Sequence, residues 1–155
     1  MKILITGHKG FIGSYLWKMI EESGVDVELN GIDFPDDIGD FNTGEIYDVV
    51  IHLAAFAALR ESFENPDRFW ENNVEKSQPI FDYCKECDVR LLYASSAGAH
   101  GWWQNPYAIT KKVNEIQAPP PVEMCSIPLA RPIWLNAIAV SPPPTTVIPS
   151  LFATF

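Results

Sequence analysis

The stretch Thr6-Gly7-His8-Lys9-Gly10-Phe11-Ile12-Gly13 constrains this chain more than any other, because of what flanks it. Before it runs Ile3-Leu4-Ile5, an apolar strand. After it, Phe11, Ile12, Tyr15, Leu16, Met19 and Ile20 recur at helical spacing until Gly24 closes the helix. In a strand that passes through three spaced glycines into a helix, each glycine has a physical task. The first permits the tight turn, the second lets backbone approach a diphosphate, and the third lets the helix pack closely on the strand. The helix N-terminus then offers free N–H groups and the positive end of its dipole to the anion. Gly7, Gly10, Phe11, Ile12 and Gly13 are therefore candidate contacts to a dinucleotide.

The alternation of apolar run and helical pattern continues along the chain. Val25 to Asp33 predicts a second strand, with Val27, Leu29 and Ile32 facing inward. Val49 to Leu53 is apolar on both faces and so predicts a central strand. A helical stretch runs from Pro66 to Cys87, with a kink expected at Pro79. Val89 to Ser95 is a further strand, and Asn105-Pro106 supplies the cap and first-turn proline of a helix reaching Gln117. Strands alternating with helices build a parallel sheet covered by helices. The expected fold class is α/β, a Rossmann-like doubly wound parallel sheet.

Charge narrows the partners. With 155 residues the chain has a one-domain length, and its net charge of −9 argues against nucleic acid or an anionic membrane surface, both of which need a basic patch. No stretch reaches the ~18 apolar residues of a membrane span, and Met1-Lys2 leads directly into a strand without a signal-peptide layout. Three cysteines, an odd number, suit a reducing cytoplasm better than a disulfide framework. Cys84 and Cys87 form a C-x-x-C without a second pair or a histidine at ligand spacing, so they read as thiols one helical turn apart, and no metal site is expected.

Two further constellations point to chemistry. Asp33 ends the second strand, where a carboxylate accepts both adenosine-ribose hydroxyls and repels a 2′-phosphate, which favours NAD over NADP. The other reading of Asp33 is a solvated acidic loop, since Asp36, Asp37 and Asp40 follow. Tyr107 and Lys111 stand at i and i+4 on one helix, so phenol and ammonium share a face. A fixed ammonium nearby favours the phenolate, which a tyrosine needs to act as a base near neutrality.

With these residues in order, the chain resembles the extended short-chain dehydrogenase/reductase family, in its NAD-dependent nucleotide-sugar epimerase/dehydratase group. The stretches that carry the match are Thr6 to Gly13, Gly31-Ile32-Asp33, Asp48 to Ala55, Asn73-Val74, Tyr93-Ala94-Ser95-Ser96 and Pro106-Tyr107 to Lys111. The resemblance implies that Ser96 hydrogen-bonds the reacting sugar hydroxyl, that Tyr107 is the acid/base, and that Lys111 holds the nicotinamide ribose and tunes Tyr107. It implies that Leu53, Ala54, Ala55 and Asn73 line the cofactor. Asp37-Ile38 would flank the adenine, with Asp40-Phe41 as the alternative pair. It also implies a nucleotide-sugar substrate, and a homodimer through the helices around 69–84 and 107–116.

The departures from the family pattern shape the reading equally. The connection from Asp33 to Val49 is short, so one helix and one strand are expected to be reduced or missing. The loop from Ser96 to Tyr107 is short too, with His100 in place of a tyrosine before Gly101. Ala97 and Gly98 stand where 4,6-dehydratases carry an Asp-Glu pair, which favours epimerisation over dehydration. Composition then changes: all 20 acidic residues lie at or before Glu123, and all 13 prolines except Pro35, Pro66, Pro79 and Pro106 fall between Pro119 and Pro149. Residues 1–118 are expected to form the NAD-binding domain. Residues 119–155 are expected to form a proline-rich irregular tail, in which Val122 to Ile127 has the character of one short strand. The substrate domain that the resemblance implies has no counterpart after Gln117. Three readings follow: an NAD-dependent nucleotide-sugar epimerase, a non-catalytic NAD-binding module, or a truncated epimerase/dehydratase whose end reflects a reading-frame change.

Overall fold

The computed structural model describes residues 1–33, 36–41, 44–120 and the backbone of 122–127. Strand β1 (Lys2–Thr6) leads through the glycine turn into helix α1 (Phe11–Glu22), followed by β2 (Glu28–Ile32) and β3 (Val49–His52). Helices α2 (Leu59–Glu64), α3 (Pro66–Trp70) and α4 (Gln78–Glu86) come next, then β4 (Arg90–Ser96), α5 (Pro106–Gln117) and β5 (Val122–Ile127). The five strands are all parallel, in the order β2-β1-β3-β4-β5. Parallel neighbours need a crossover, and α1, the α2–α4 group and α5 provide three of them.

The chain leaves β1 to one side for β2 and returns on the other side as β3, so the strand order reverses at β1. Ligands of open α/β sheets bind in the crevice outside the carboxyl ends of the strands at such a point. The β2–β3 connection holds one short 3-10 turn, Ile38–Asp40, among its described residues, so the expected reduction of this region is met.

The core explains why the sheet holds together. Leu4, Val50 and Leu91 lie side by side across β1, β3 and β4 and are fully buried against Ile80, Phe81 and Cys84 of α4. The central placement of β3 agrees with its apolar run, but Val50 and His52 are buried while Val49 and Ile51 are only half-buried. Helix α1 forms where its periodicity predicts, and Gly24 follows it with φ +70°. Its apolar stripe is not all interior: Phe11 is 92% exposed and Tyr15 57% exposed, and Gly13 is the helix's one buried residue.

The stretch from Pro66 to Cys87 is not one helix kinked at Pro79. It breaks earlier, at a π-helical turn over Glu71–Glu75, and restarts as α4 with Pro79 in its first turn. Proline has no N–H and its ring crowds the carbonyl four residues back, which here belongs to Glu75. The turn ahead of it widens accordingly, with Lys76 donating its backbone N–H five residues back to Glu71. Strand β5 pairs with β4 from Leu91↔Val122 to Ser96↔Ile127, so the sheet extends past residue 118. The irregular character expected beyond it falls outside the described residues. Among those described, no helix is long and apolar enough to cross a membrane.

Candidate active site

The glycine turn has the geometry its three glycines predict. Gly7 sits at φ +73°, and a Cβ there would come within 2.8 Å of the Ala54 backbone nitrogen. A Cβ at Gly13 would overlap the Gly7 carbonyl oxygen, so this glycine alone lets α1 start so close to β1. Gly10 caps α1 and donates its N–H to Gly7 O at 3.1 Å, while Gly7 donates to Ile32 O at 2.8 Å. Backbone thus forms the floor of the crevice, which suits a diphosphate.

Above that floor lies a cavity of about 580 Å³. It brings together Gly7, Gly10, Asp33, Asp37, Ile38, Leu53, Ala54 and Ala55, eight residues expected from the sequence. Asp33 accepts the Lys9 backbone N–H at 2.6 Å, which places its carboxylate at the mouth of the glycine turn. Phe11, Ile12 and Gly13 do not line the cavity; Gly13 acts through packing. Asn73 does not line it either. Its amide donates to Phe56 O and Thr110 Oγ1 and accepts the Phe56 N–H, so it holds the Leu53–Phe56 loop in place.

Sequence reasoning missed Phe56, Arg68, Glu71, Asn72 and Lys76, which complete the lining together with Asp36. Arg68 stacks on the Phe56 ring at 4.5 Å and pairs with Glu61. Lys76 pairs with Asp37 at 2.6 Å and with Glu71 at 3.5 Å. The Lys76–Asp37 pair joins residues 39 apart in sequence, so no local pattern signals it.

A buried polar chain links the cofactor side to the opposite helix. Thr6 Oγ1 and His52 Nδ1 are 2.6 Å apart, and His52 Nε2 lies 2.9 Å from Ser77 Oγ, which donates to Asn73 O. Thr6 Oγ1 also accepts the Ala54 N–H. Burial pushes the His52 imidazole down to about 3, with the Lys111 charge adding to the effect, so it is neutral at physiological pH.

Ser96, Tyr107 and Lys111 gather at the end of β4 and the start of α5. Asn105 caps α5 by accepting the Ala108 N–H at 2.8 Å, with Pro106 following as expected. Ser96 Oγ accepts the Gly98 N–H at 3.2 Å, and Ser96 is the neighbour that acts to lower the Tyr107 phenol. Lys111 is 3% exposed; its Nζ donates to Ala94 O at 2.8 Å and lies 4.9 Å from the centre of the Tyr93 ring. Burial lowers this ammonium to about 8. The expected lowering of the phenol by that ammonium is not realised. Burial raises Tyr107 above its ordinary pKa with Ser96 acting against the rise, while the Lys111 ammonium donates to the Ala94 carbonyl. None of the three residues lines the 580 Å³ cavity.

The two thiols of the C-x-x-C differ, with Cys84 buried and raised to about 12 and Cys87 exposed. Among the described residues no group of three or more His, Cys, Asp or Glu side chains is placed to hold a metal ion.

A parallel sheet with a glycine-turn crevice at its strand-order reversal defines a nucleotide-binding protein of the Rossmann-like class. More narrowly, the chain belongs to the NAD dependent epimerase/dehydratase family, whose model matches residues 3–127. It is 30% identical to protein CapI of Staphylococcus aureus, over 76% of this chain and 48% of that protein. It is 28% identical to the UDP-glucose 4-epimerase of Streptomyces lividans, over 64% of this chain and 37% of the other. Among solved structures, MoeE5 in complex with UDP-glucose and NAD superposes with TM-score 0.67 at 25% identity, covering 81% of this chain and 52% of that one. A dTDP-4-dehydrorhamnose reductase from Clostridium acetobutylicum shares the fold at TM-score 0.71 and 22% identity, covering 80% and 52%. The chain spans about half the length, or less, of the curated relatives it matches.

Proposed function

We propose that this protein binds NAD in the crevice above the glycine turn and takes part in NAD-dependent epimerisation of a nucleotide sugar. One observation carries the reading: a single cavity unites Gly7 and Gly10 with Asp33, Asp37 and the Leu53–Ala55 loop. The residues fit the cofactor, since Gly7 and Gly10 present bare backbone to the cavity where a diphosphate would rest, and Gly13, with no room for a Cβ, brings the start of α1 close beneath it. When bound, NAD supplies the hydride acceptor and donor.

The chain's own groups do the rest. Backbone N–H groups at the start of α1 meet the diphosphate, and Asp33 accepts ribose hydroxyls. Tyr107 takes the proton of a sugar hydroxyl and Ser96 orients that hydroxyl. Lys111 holds the nicotinamide ribose and, once a ribose hydroxyl competes with Ala94 O, brings its charge to bear on the phenol. Ala97 and Gly98 follow Ser96 where a dehydratase needs carboxylates, which supports epimerisation.

The test is turnover of UDP-sugars by the purified protein with NAD. Unaltered protein is expected to interconvert one such epimer pair, and Tyr107→Phe to lose about 10²–10⁴-fold in rate with NAD affinity retained. Saturable NAD binding with no turnover on any UDP-sugar contradicts the catalytic part. That result instead supports a non-catalytic NAD-binding module, a reading favoured by the half-length match to the relatives and by a cavity that Ser96, Tyr107 and Lys111 do not line.

A further inference from the structure

The buried polar chain behind the cofactor cavity has a direction, and its two ends fix it. At one end Ser77 Oγ donates to Asn73 O at 2.7 Å, since a carbonyl oxygen only accepts. The Ser77 oxygen, 2.9 Å from His52 Nε2, is left to accept from that nitrogen. At the other end Thr6 Oγ1 accepts the Ala54 N–H at 3.2 Å, which leaves its own proton for His52 Nδ1 at 2.6 Å. Burial keeps the imidazole neutral, with one donor and one acceptor, so its proton sits on Nε2. Every bond then points one way, from Ala54 through Thr6, His52 and Ser77 to Asn73. The His52 ring is 1% exposed and wedged between Phe81 and Tyr93, each 5.8 Å away between ring centres. The far end is tied to α5: Asn114 Nδ2 donates to Asn73 O at 2.6 Å, and Asn73 Nδ2 donates to Thr110 Oγ1 at 3.1 Å. Thr110 directly precedes Lys111 on that helix.

We infer that His52 is a positioning residue which, in its Nε2-protonated form, ties the Leu53–Ala55 wall of the cofactor cavity to the helix carrying Tyr107 and Lys111. The inference rests on the reading that this cavity takes NAD. His52 does not itself line the cavity, so it acts on the wall through Thr6, whose hydroxyl holds the Ala54 N–H. A chain of bonds that all point one way depends on each member. Without the Ser77 oxygen, the Nε2 proton becomes a buried donor with no acceptor, which favours moving it to Nδ1. There it meets the Thr6 proton head on until the hydroxyl rotates. A rotated hydroxyl no longer presents the same lone pair to Ala54, and the wall shifts. Removing the Thr6 hydroxyl frees Ala54 directly. Loss at either end therefore reaches the same wall by the same route.

The experiment joins two readouts on the full chain. Nitrogen-15 NMR of the ring, assigned by its proximity to Phe81 and Tyr93, is expected to show His52 protonated on Nε2 alone at neutral pH, and on Nδ1 in Ser77→Ala. Calorimetric titration with NAD then compares Thr6→Val, Ser77→Ala and the double variant. Each single change is expected to weaken NAD by about fivefold, and the double by about tenfold at most, where independent effects would multiply to about 25-fold. Thr6→Ser keeps the hydroxyl and should bind NAD as the unaltered protein does. If Thr6→Val fails to fold, Ser77→Ala alone decides, through its ring proton and its NAD affinity. An Nδ1 proton in the unaltered protein overturns the inference. So do unchanged NAD affinity in Ser77→Ala, as expected of a merely structural contact, and effects that multiply in the double variant. These results leave the reading of the cavity standing. Failure of the unaltered protein to bind NAD removes that reading and the inference with it.

Discussion

The glycine turn and the β4–α5 region serve one proposed site but are built from different materials. At the turn, recognition comes from backbone: three glycines, a helix N-terminus and close packing that leaves no room for a side chain at Gly13. At β4 and α5 it comes from buried side chains, with Lys111 lowered to about 8 and Tyr107 raised by burial. Backbone N–H groups do not titrate, so binding at the turn is governed by shape. The chemistry of the second region is governed by protonation. The comparison breaks most sharply under substitutions that disturb one region and spare the other.

The largest effect is expected at Gly13. Gly13→Val puts a branched side chain where even a Cβ overlaps the Gly7 carbonyl. It should abolish measurable NAD binding and destabilise the fold by roughly 3 kcal/mol, read by titration and thermal unfolding. Tyr107→Phe should do the reverse, removing turnover while sparing both binding and fold. If Gly13→Val binds NAD normally, the account of the turn as a shape-determined cradle is wrong.

A smaller effect sharpens the contrast through pH. Lys111 titrates near 8 when folded and near 10.5 when unfolded, so the unfolded chain binds more protons between those values. Stability therefore rises with pH across that window, by up to about 3 kcal/mol, and the cost of the buried cation is felt in full below it. Tyr93 and Cys84, both raised by burial, act in the opposite sense above about pH 9, so the comparison is drawn against Lys111→Met. His52 works on the acid side by the same sign rule. Its folded value near 3 lies below the unfolded 6.5, so stability present at neutral pH is lost as pH falls through that range. His52→Gln should flatten the acid limb and Lys111→Met the alkaline one, as followed by urea unfolding from pH 4 to 10.

How much of this was legible in the sequence follows from what each feature depends on. The turn was readable because its requirement is local: a positive φ at Gly7 and a close approach at Gly13 need glycine, whatever lies further along the chain. The strand pattern and the start of α5 at Asn105-Pro106 were readable for the same reason. Helix α1 shows where locality stops. Its period gave the helix, but the period does not say what covers Phe11 and Tyr15, and both are exposed. At Pro79 the cause was right and the place was not, because the strain is relieved one turn earlier. The hold of Lys111 on Ala94 O and of Lys76 on Asp37 depend on elements meeting in three dimensions, and no spacing in the chain records them.

The central claim is that shape at the turn and charge at Asp33 together select NAD. It is tested most directly by titrating the intact protein with NAD and, separately, with NADP. The account predicts saturable binding of NAD, with NADP weaker by about tenfold or more because a 2′-phosphate must approach the Asp33 carboxylate. Absence of NAD binding, or a tighter grip on NADP than on NAD, would contradict it.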